Sequence, residues 1–140
     1  MSNPELHSLA DYQQFVTNTI KLWTREQRIA LAAATAERWL PVYESFSQEE
    51  EWGDPSILKR ALEAVWNCAL GKKLTSKDHK LHKNRVNENC PHTDDFAVDI
   101  EEVQATTAMI DYALDCCISD DNTGDVVNAM AYAFEGVAPG

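Results

Sequence analysis

Carboxylates are the side chains in this sequence whose type and spacing most readily suggest chemistry. Residues 91–104 read PHTDDFAVDIEEVQ, and five acids stand there without a lysine or an arginine. Carboxylates grouped in this way act as general acids and bases, bind metal ions, or present a surface to a basic partner. The composition and motifs of the rest of the chain favour the last of these uses.

The charge of the chain is strongly polarised. Its 140 residues carry a formal net charge of −11, and residues 86–140 contain twelve acids and no lysine or arginine. Residues 72–85, KKLTSKDHKLHKNR, hold six bases and one acid. Nucleic-acid binding is disfavoured, because it requires a dominant basic face. A basic protein partner is favoured, because opposed electric fields accelerate association.

We predict that the acids and one loop tryptophan contact this partner. Trp52 lies in the loop EEEWGDPS, where its ring either packs down on the loop or stays exposed as an anchor. Tyr132 is a second candidate anchor. The predicted partner-binding residues are Asp94, Asp95, Asp99, Glu101, Glu102, Asp111, Asp115, Asp120, Asp121, Asp125 and Trp52.

A metal site is the chemical alternative. The segment HKLH places His79 and His82 three residues apart, and Cys90, His92, Asp94 and Asp95 follow. Imidazole, thiolate and carboxylate groups all suit zinc. A site of this kind normally takes ligands from a second motif on another helix, and none stands out here. The other interpretation is a solvated, partly mobile basic segment that contains two histidines, so no cofactor is predicted.

Motifs for nucleophilic or nucleotide chemistry are absent from the sequence. There is no GxSxG pattern, and with five glycines the chain shows no phosphate-binding or dinucleotide loop. Cys90 and His92 stand too close in sequence for the usual nucleophile and base. We therefore expect a protein that is not an enzyme.

The cysteines are expected to be free thiols. Cys68, Cys90, Cys116 and Cys117 form no CxxC pair, and the chain shows no export signal. The alternative is a strained vicinal disulfide between the last two. We expect both of these to lie on a helix instead, one buried and one not.

Helical periodicity runs along the whole chain and predicts a compact all-α bundle of about six or seven helices in one domain, 1–140. Pro41 should kink or interrupt the second helix. Asp94 and Asp95 should cap the fifth. The predicted helices span about 8–22, from 25 onward after a Thr24 cap, 55–70, 76–87, from near 96–98 to 118, and 123–135.

Neither a secretion signal nor an apolar run long enough to cross a bilayer is present in the sequence. The sequence therefore predicts a cytoplasmic protein without a membrane partner.

Two segments resemble the YjaG-like family of bacterial helical proteins, a domain of unknown function. LAAATAERWLPVYESFSQEEEWGDPSILKRALEAVW occupies 31–66, and PHTDDF occupies 91–96. The resemblance covers about 31–134 and is carried by AERWLP, WGDP and TDDF. It implies a helical bundle in which these motifs meet in space, and it implies no activity.

The composition, the acidic C-terminal third and the lack of catalytic motifs together favour an acidic, non-enzymatic binding protein. We predict an immunity-type neutraliser of a basic, nuclease-like bacterial toxin domain, whose substrate-binding surface the acidic helices would cover. The alternatives are a metal-binding bundle using His79, His82 and His92, or a regulatory bundle that oligomerises through exposed aromatic rings.

Overall fold

Six α-helices account for most of residues 8–135, the part of the chain that this computed structural model describes. A short 3₁₀ turn, Thr93–Asp95, precedes α5, and no strand occurs within 8–135. The all-α prediction is confirmed. The helices are α1 (Leu9–Ile20), α2 (Arg25–Glu50), α3 (Pro55–Ala69), α4 (Ser76–Glu88), α5 (Glu101–Cys116) and α6 (Thr123–Glu135).

Helix α2 lies at the centre of the bundle and packs against α3, α5 and α6. Ala32, Ala33 and Ala36 are fully buried on this helix, so their small side chains allow neighbouring helices to approach closely. Most of the buried apolar side chains of the described residues form one continuous cluster. Between residues 8 and 135, no helix has both the length and the apolar composition of a membrane span.

Helix α2 continues through Pro41. The sequence predicts a kink or an interruption there, and the interruption does not occur. Trp39 and Leu40 before the proline and Tyr43 and Phe46 after it are all buried in the same core. Core packing on both sides of the exposed proline therefore holds the two halves in one helix, although proline removes a backbone hydrogen bond.

The start of α5 differs from the prediction. The helix begins at Glu101, whose N–H donates to Asp99 Oδ1 at 3.0 Å, and not near 96–98. Asp94 and Asp95 lie in the 3₁₀ turn instead of capping α5. Phe96 adopts an extended backbone, with φ −132° and ψ 140°, and its ring packs back against the core. That packing delays the helix.

The loop between α2 and α3 closes over Tyr43. Glu51 and Gly53 both have positive φ angles, 51° and 79°. The Tyr43 hydroxyl is buried and donates to the Asn89 carbonyl at 2.7 Å. A Cβ atom at position 53 would overlap that hydroxyl. The loop, α2 and the end of α4 are thereby fixed to one another.

Candidate partner-binding surface

The ten predicted partner-binding acids fall into three groups along α5. This helix has 16 residues, so its ends lie about 24 Å apart. The acids therefore do not form one continuous surface. The groups are Asp94, Asp95, Asp99, Glu101 and Glu102 at the start of α5, Asp111 and Asp115 in its second half, and Asp120, Asp121 and Asp125 beyond its end.

Two grooves meet at the start of α5, and both are lined by Asp99 and Glu102. The first groove, of about 440 Å³, lies between the start of α5 and the end of α6. The second, of about 490 Å³, lies between the second half of α2 and residues 98–103. Because the two grooves share these lining residues, they are neighbours on the surface, and we call the pair the acidic double groove.

Apolar side chains contribute to the lining of the double groove. Ala105, Ala108 and Tyr132 line the first groove, while Val42 and Val98 line the second. Tyr132 is 37% exposed and Val98 is 48% exposed. Apolar contact area within a polar rim is the usual anatomy of a protein interface.

The charged residues that line the double groove are all acids. The described residues that line the two grooves include no lysine and no arginine. Three of the rim acids were not among the predicted partner-binding residues, namely Glu49 and Glu50 at the end of α2 and Glu135 at the end of α6. The run EEE at 49–51 was visible in the sequence, but its position beside α5 depends on the fold.

The acids in the second half of α5 are paired within the molecule. Lys83 Nζ lies 2.9 Å from Asp115 Oδ1 and 3.4 Å from Asp111 Oδ2, and His79 Nε2 lies 2.9 Å from Asp115 Oδ1. The two residues of each helix are four positions apart, so they share one helix face. Most of the basic segment 72–85 therefore lies in α4, and α4 packs against α5.

Partial burial shifts the protonation equilibria of this cluster. Burial raises the pKa of Asp111, although the Lys83 ammonium opposes the shift, and Asp111 Oδ1 is buried without a hydrogen-bond partner. Burial also lowers the pKa of Lys83, but Asp115 and Asp111 more than reverse this, so the net shift is upward. The two carboxylates of α5 therefore hold Lys83 in its charged form.

The three histidines predicted as possible metal ligands lie in different environments. His79 contacts Asp115, and His92 is exposed beside the 3₁₀ turn. Burial lowers the pKa of His82. Within residues 8–135, no group of three or more His, Cys, Asp or Glu side chains is arranged to hold a metal ion.

The acids beyond α5 lie around the start of α6. Asp121 Oδ1 accepts the Thr123 N–H at 3.1 Å, and this bond lowers the pKa of Asp121. Asp125 lies in the first turn of α6, where the helix dipole favours a negative charge. Asp120 is exposed. Two members of this group thus support the fold.

A buried polar network fixes the end of α5. Arg25 Nη2 donates to the carbonyls of Cys116 and Cys117, at 3.2 and 2.5 Å. Asn122 is fully buried; its Oδ1 accepts from Arg28 Nε at 2.6 Å and its Nδ2 donates to the Cys116 carbonyl at 3.2 Å. This network was not predicted, because more than ninety residues separate Arg25 from the Cys116 carbonyl and Arg28 from Asn122.

Trp52 packs within an aromatic cluster. Its ring lies 6.2 Å from Phe46 and 5.5 Å from Phe96, centroid to centroid, with edge-to-face geometry in both pairs. Of the two interpretations of Trp52, packing on the loop is the one observed, and a role as partner anchor stays a prediction. The contact between Trp52 and Phe96 also joins the WGDP and TDDF motifs. Trp39 of AERWLP lies about two helical turns before Phe46 on α2.

Comparison with known proteins gives a family. A crystal structure of a DUF416 family protein from Shewanella baltica OS155 superimposes with a TM-score of 0.76 at 26% sequence identity. The match covers 86% of this chain and 61% of that protein. No curated protein matches the chain. A family model described as "Protein of unknown function (DUF416)" matches residues 16–139, and the chain therefore belongs to the DUF416 family.

Proposed function

We propose that this chain is an acidic, non-enzymatic binding protein that takes a basic protein surface in its acidic double groove. The specific form of the proposal is an immunity-type neutraliser of a basic, nuclease-like bacterial toxin domain. The observation that supports it is the double groove itself, which combines an apolar lining with a rim of carboxylates.

The two components of this surface contribute differently to binding. The rim carboxylates create a field of one sign, which steers a basic partner and accelerates encounter. Exposed charges alone contribute little affinity, because water solvates them well. Tyr132 and Val98 supply apolar area that a partner would remove from water, and such desolvated contacts carry most of the binding energy in protein interfaces.

The proposal does not use all predicted residues equally. Of the group at the start of α5, Asp99, Glu101 and Glu102 line the double groove and form the proposed contact surface, whereas the two acids of the 3₁₀ turn line neither groove. Asp111 and Asp115 are engaged by α4, so their charge is largely compensated before a partner arrives. Asp120 belongs to a separate patch about one α5 length away.

The likeness to YjaG-like proteins in AERWLP, WGDP and TDDF and a cytoplasmic location remain predictions. The family description and the name of the Shewanella protein give no activity or partner. The metal-binding alternative is not carried forward, because His79 contacts Asp115 and the described residues form no ligand cluster.

Co-expression with the product of the adjacent gene tests the proposal. We expect a complex that forms at low salt, weakens as salt rises and suppresses the partner's activity. Glu101→Lys with Glu102→Lys should weaken binding at least about tenfold. Glu63→Lys with Asp120→Lys changes the net charge equally at exposed sites outside the double groove, and should leave most of the binding intact.

Two results would contradict the proposal. If the wild-type chain binds no basic protein at low salt, partner capture is wrong. If both double variants lose binding equally, net charge matters and the double groove does not.

A further inference from the structure

A third cavity brings two thiols together at the ends of α3 and α5. It has a volume of about 410 Å³ and is lined by both Cys68 and Cys117. These side chains are 3% and 6% exposed, so they form the floor of the cavity. All four cysteines of the chain are free thiols.

Cys117, and not its neighbour Cys116, faces Cys68. Successive helical positions point about 100° apart, so adjacent cysteines cannot share one direction. Cys116 is completely buried and does not line the cavity. Burial raises the pKa of the Cys117 thiol, and the neighbouring Cys68 thiol adds to this shift, in agreement with the position of both side chains in the lining of one cavity. The expectation that one of the adjacent cysteines is exposed is wrong, since both are buried.

The backbone around this pair is held in place. Arg25 fixes the carbonyls of Cys116 and Cys117 at the end of α5. On the other side, the Gly71 N–H donates to the Cys68 carbonyl at 3.0 Å, and Gly71 has a φ of 94° where the chain leaves α3. Neither thiol needs a large backbone movement to stay beside the other.

The mouth of the cavity suits an anionic reagent. Arg25, Lys72 and Lys73 line it, opposed by Glu26 and Asp120, which leaves an excess of one positive charge. This contrasts with the strongly negative charge of the chain as a whole. Small disulfides of the glutathione type carry carboxylates and would be attracted to such a mouth.

We propose that Cys68 and Cys117 form a reversible disulfide with each other when the protein meets a low-molecular-weight disulfide of this anionic type. One protein thiolate attacks a sulfur of the oxidant, which gives a mixed disulfide and releases one small thiol. The second protein thiolate then attacks the mixed disulfide at the protein sulfur, closes the Cys68–Cys117 bond and releases the second small thiol. The two protons lost by the protein thiols end on the two released thiols, so two protein thiols are oxidised and one disulfide is reduced.

Burial makes this reaction slow without preventing it. The raised pKa of the Cys117 thiol keeps its thiolate fraction small at neutral pH, so its attack on a disulfide is slow. The closed bond would join α3 to α5 across 48 intervening residues, which restricts the unfolded chain and raises the melting temperature. This inference does not depend on the proposed partner.

Peptide mapping of the intact chain tests the proposal. The folded protein is incubated with excess oxidised glutathione, its remaining thiols are alkylated, and it is cleaved before aspartates without reduction. Cleavage at Asp115 and Asp120 separates the adjacent cysteines from Cys90. We expect a peptide containing Cys68 linked to the 115–119 peptide, and a higher melting temperature that returns to its original value on reduction.

Cys116→Ala is the matched control, because it assigns the link to Cys117 and should leave it unchanged. Cys117→Ala should abolish the link and the rise in melting temperature. A link between Cys116 and Cys117 would overturn the proposal. So would glutathione adducts at Cys90 with Cys68 and Cys117 still free after prolonged incubation. If a substitution prevents folding, fragmentation of the linked 115–119 peptide from the wild-type chain shows which of its two cysteines is alkylated and so assigns the link.

Discussion

The two halves of α5 carry the same kind of side chain in opposite circumstances. At its start, Glu101 and Glu102 face solvent at the double groove, where no described lysine or arginine lines the surface. In its second half, Asp111 and Asp115 meet a lysine and a histidine of α4. A stretch of sequence therefore gives the sign of its charge, but the fold decides whether that charge is compensated.

The largest expected effect on stability comes from the polar network at the C-terminal end of α5. Asn122→Ala should lower the free energy of unfolding by about 2–4 kcal/mol, because it removes a fully buried side chain together with its hydrogen bonds to Arg28 Nε and to the carbonyls of Arg25 and Cys116. Urea unfolding measures the change. Asn128→Ala, at an exposed position on α6, should stay within about 0.5 kcal/mol. Similar losses for both variants would show that the buried network does not hold this end.

The acids of the two halves should differ in their contribution to stability. Asp115→Ala removes charged hydrogen bonds with His79 and Lys83 and should cost about 1–3 kcal/mol in urea unfolding. Glu102→Ala at the double groove should cost less than about 0.5 kcal/mol. If Glu102→Ala is the more damaging change, the assignment of compensated and uncompensated ends is reversed.

Alkaline pH should lower the free energy of unfolding through two groups, Tyr43 under the α2–α3 loop and Lys83 on α4. Burial raises the pKa of Tyr43 to about 12, so between pH ~10 and ~12 the unfolded chain loses the phenol proton first and stability falls. The expected loss is about 1 kcal/mol at pH ~11. The contribution of Lys83, whose pKa is also raised, is complete below its unfolded pKa and is lost as pH rises through its folded pKa.

Urea unfolding from pH ~8 to ~11 separates the two groups. Tyr43→Phe should remove the contribution of the phenol to the fall in the free energy of unfolding with rising pH. Lys83→Met should remove the contribution of the ammonium group. An unchanged alkaline slope in Tyr43→Phe would show that the phenol contributes nothing to it.

The smallest expected effect is that of salt. Raising ionic strength from about 0.01 to 0.15 M shortens the screening length from about 30 to 8 Å, which weakens repulsion among the acids of the double groove. The free energy of unfolding should rise by a few tenths of a kcal/mol, since exposed charges interact weakly. Glu101→Gln with Glu102→Gln should show a smaller rise. A fall with salt would mean that the α4–α5 ion pairs dominate.

Local patterns in the sequence predicted much of the fold. The Thr24 hydroxyl accepts the Gln27 N–H at 3.1 Å, and Asp54 accepts the Ser56 N–H at 2.9 Å before α3, as expected from residue types alone. Caps act within three residues, so short segments reveal them. The start of α5 was misplaced because Phe96 responds to an aromatic cluster built from α2 and the following loop.

The site was less predictable than the helices. The segment of α4 looked solvated because it has few large apolar residues, and only Val86 on it is buried. This helix docks through His79 and Lys83, whose common partner Asp115 lies 36 and 32 positions further along the chain. The four-residue spacing on both helices was present in the sequence, but nothing local indicated that these two faces meet.

The contact between Gly53 and the Tyr43 hydroxyl has a consequence for the sequences of related proteins. Position 53 has a positive φ angle and no space for a Cβ atom while a tyrosine occupies position 43. A substitution at one position therefore changes which residues the other tolerates. Among homologues, these two positions should covary, with larger residues at 53 appearing only where the residue at 43 is shorter.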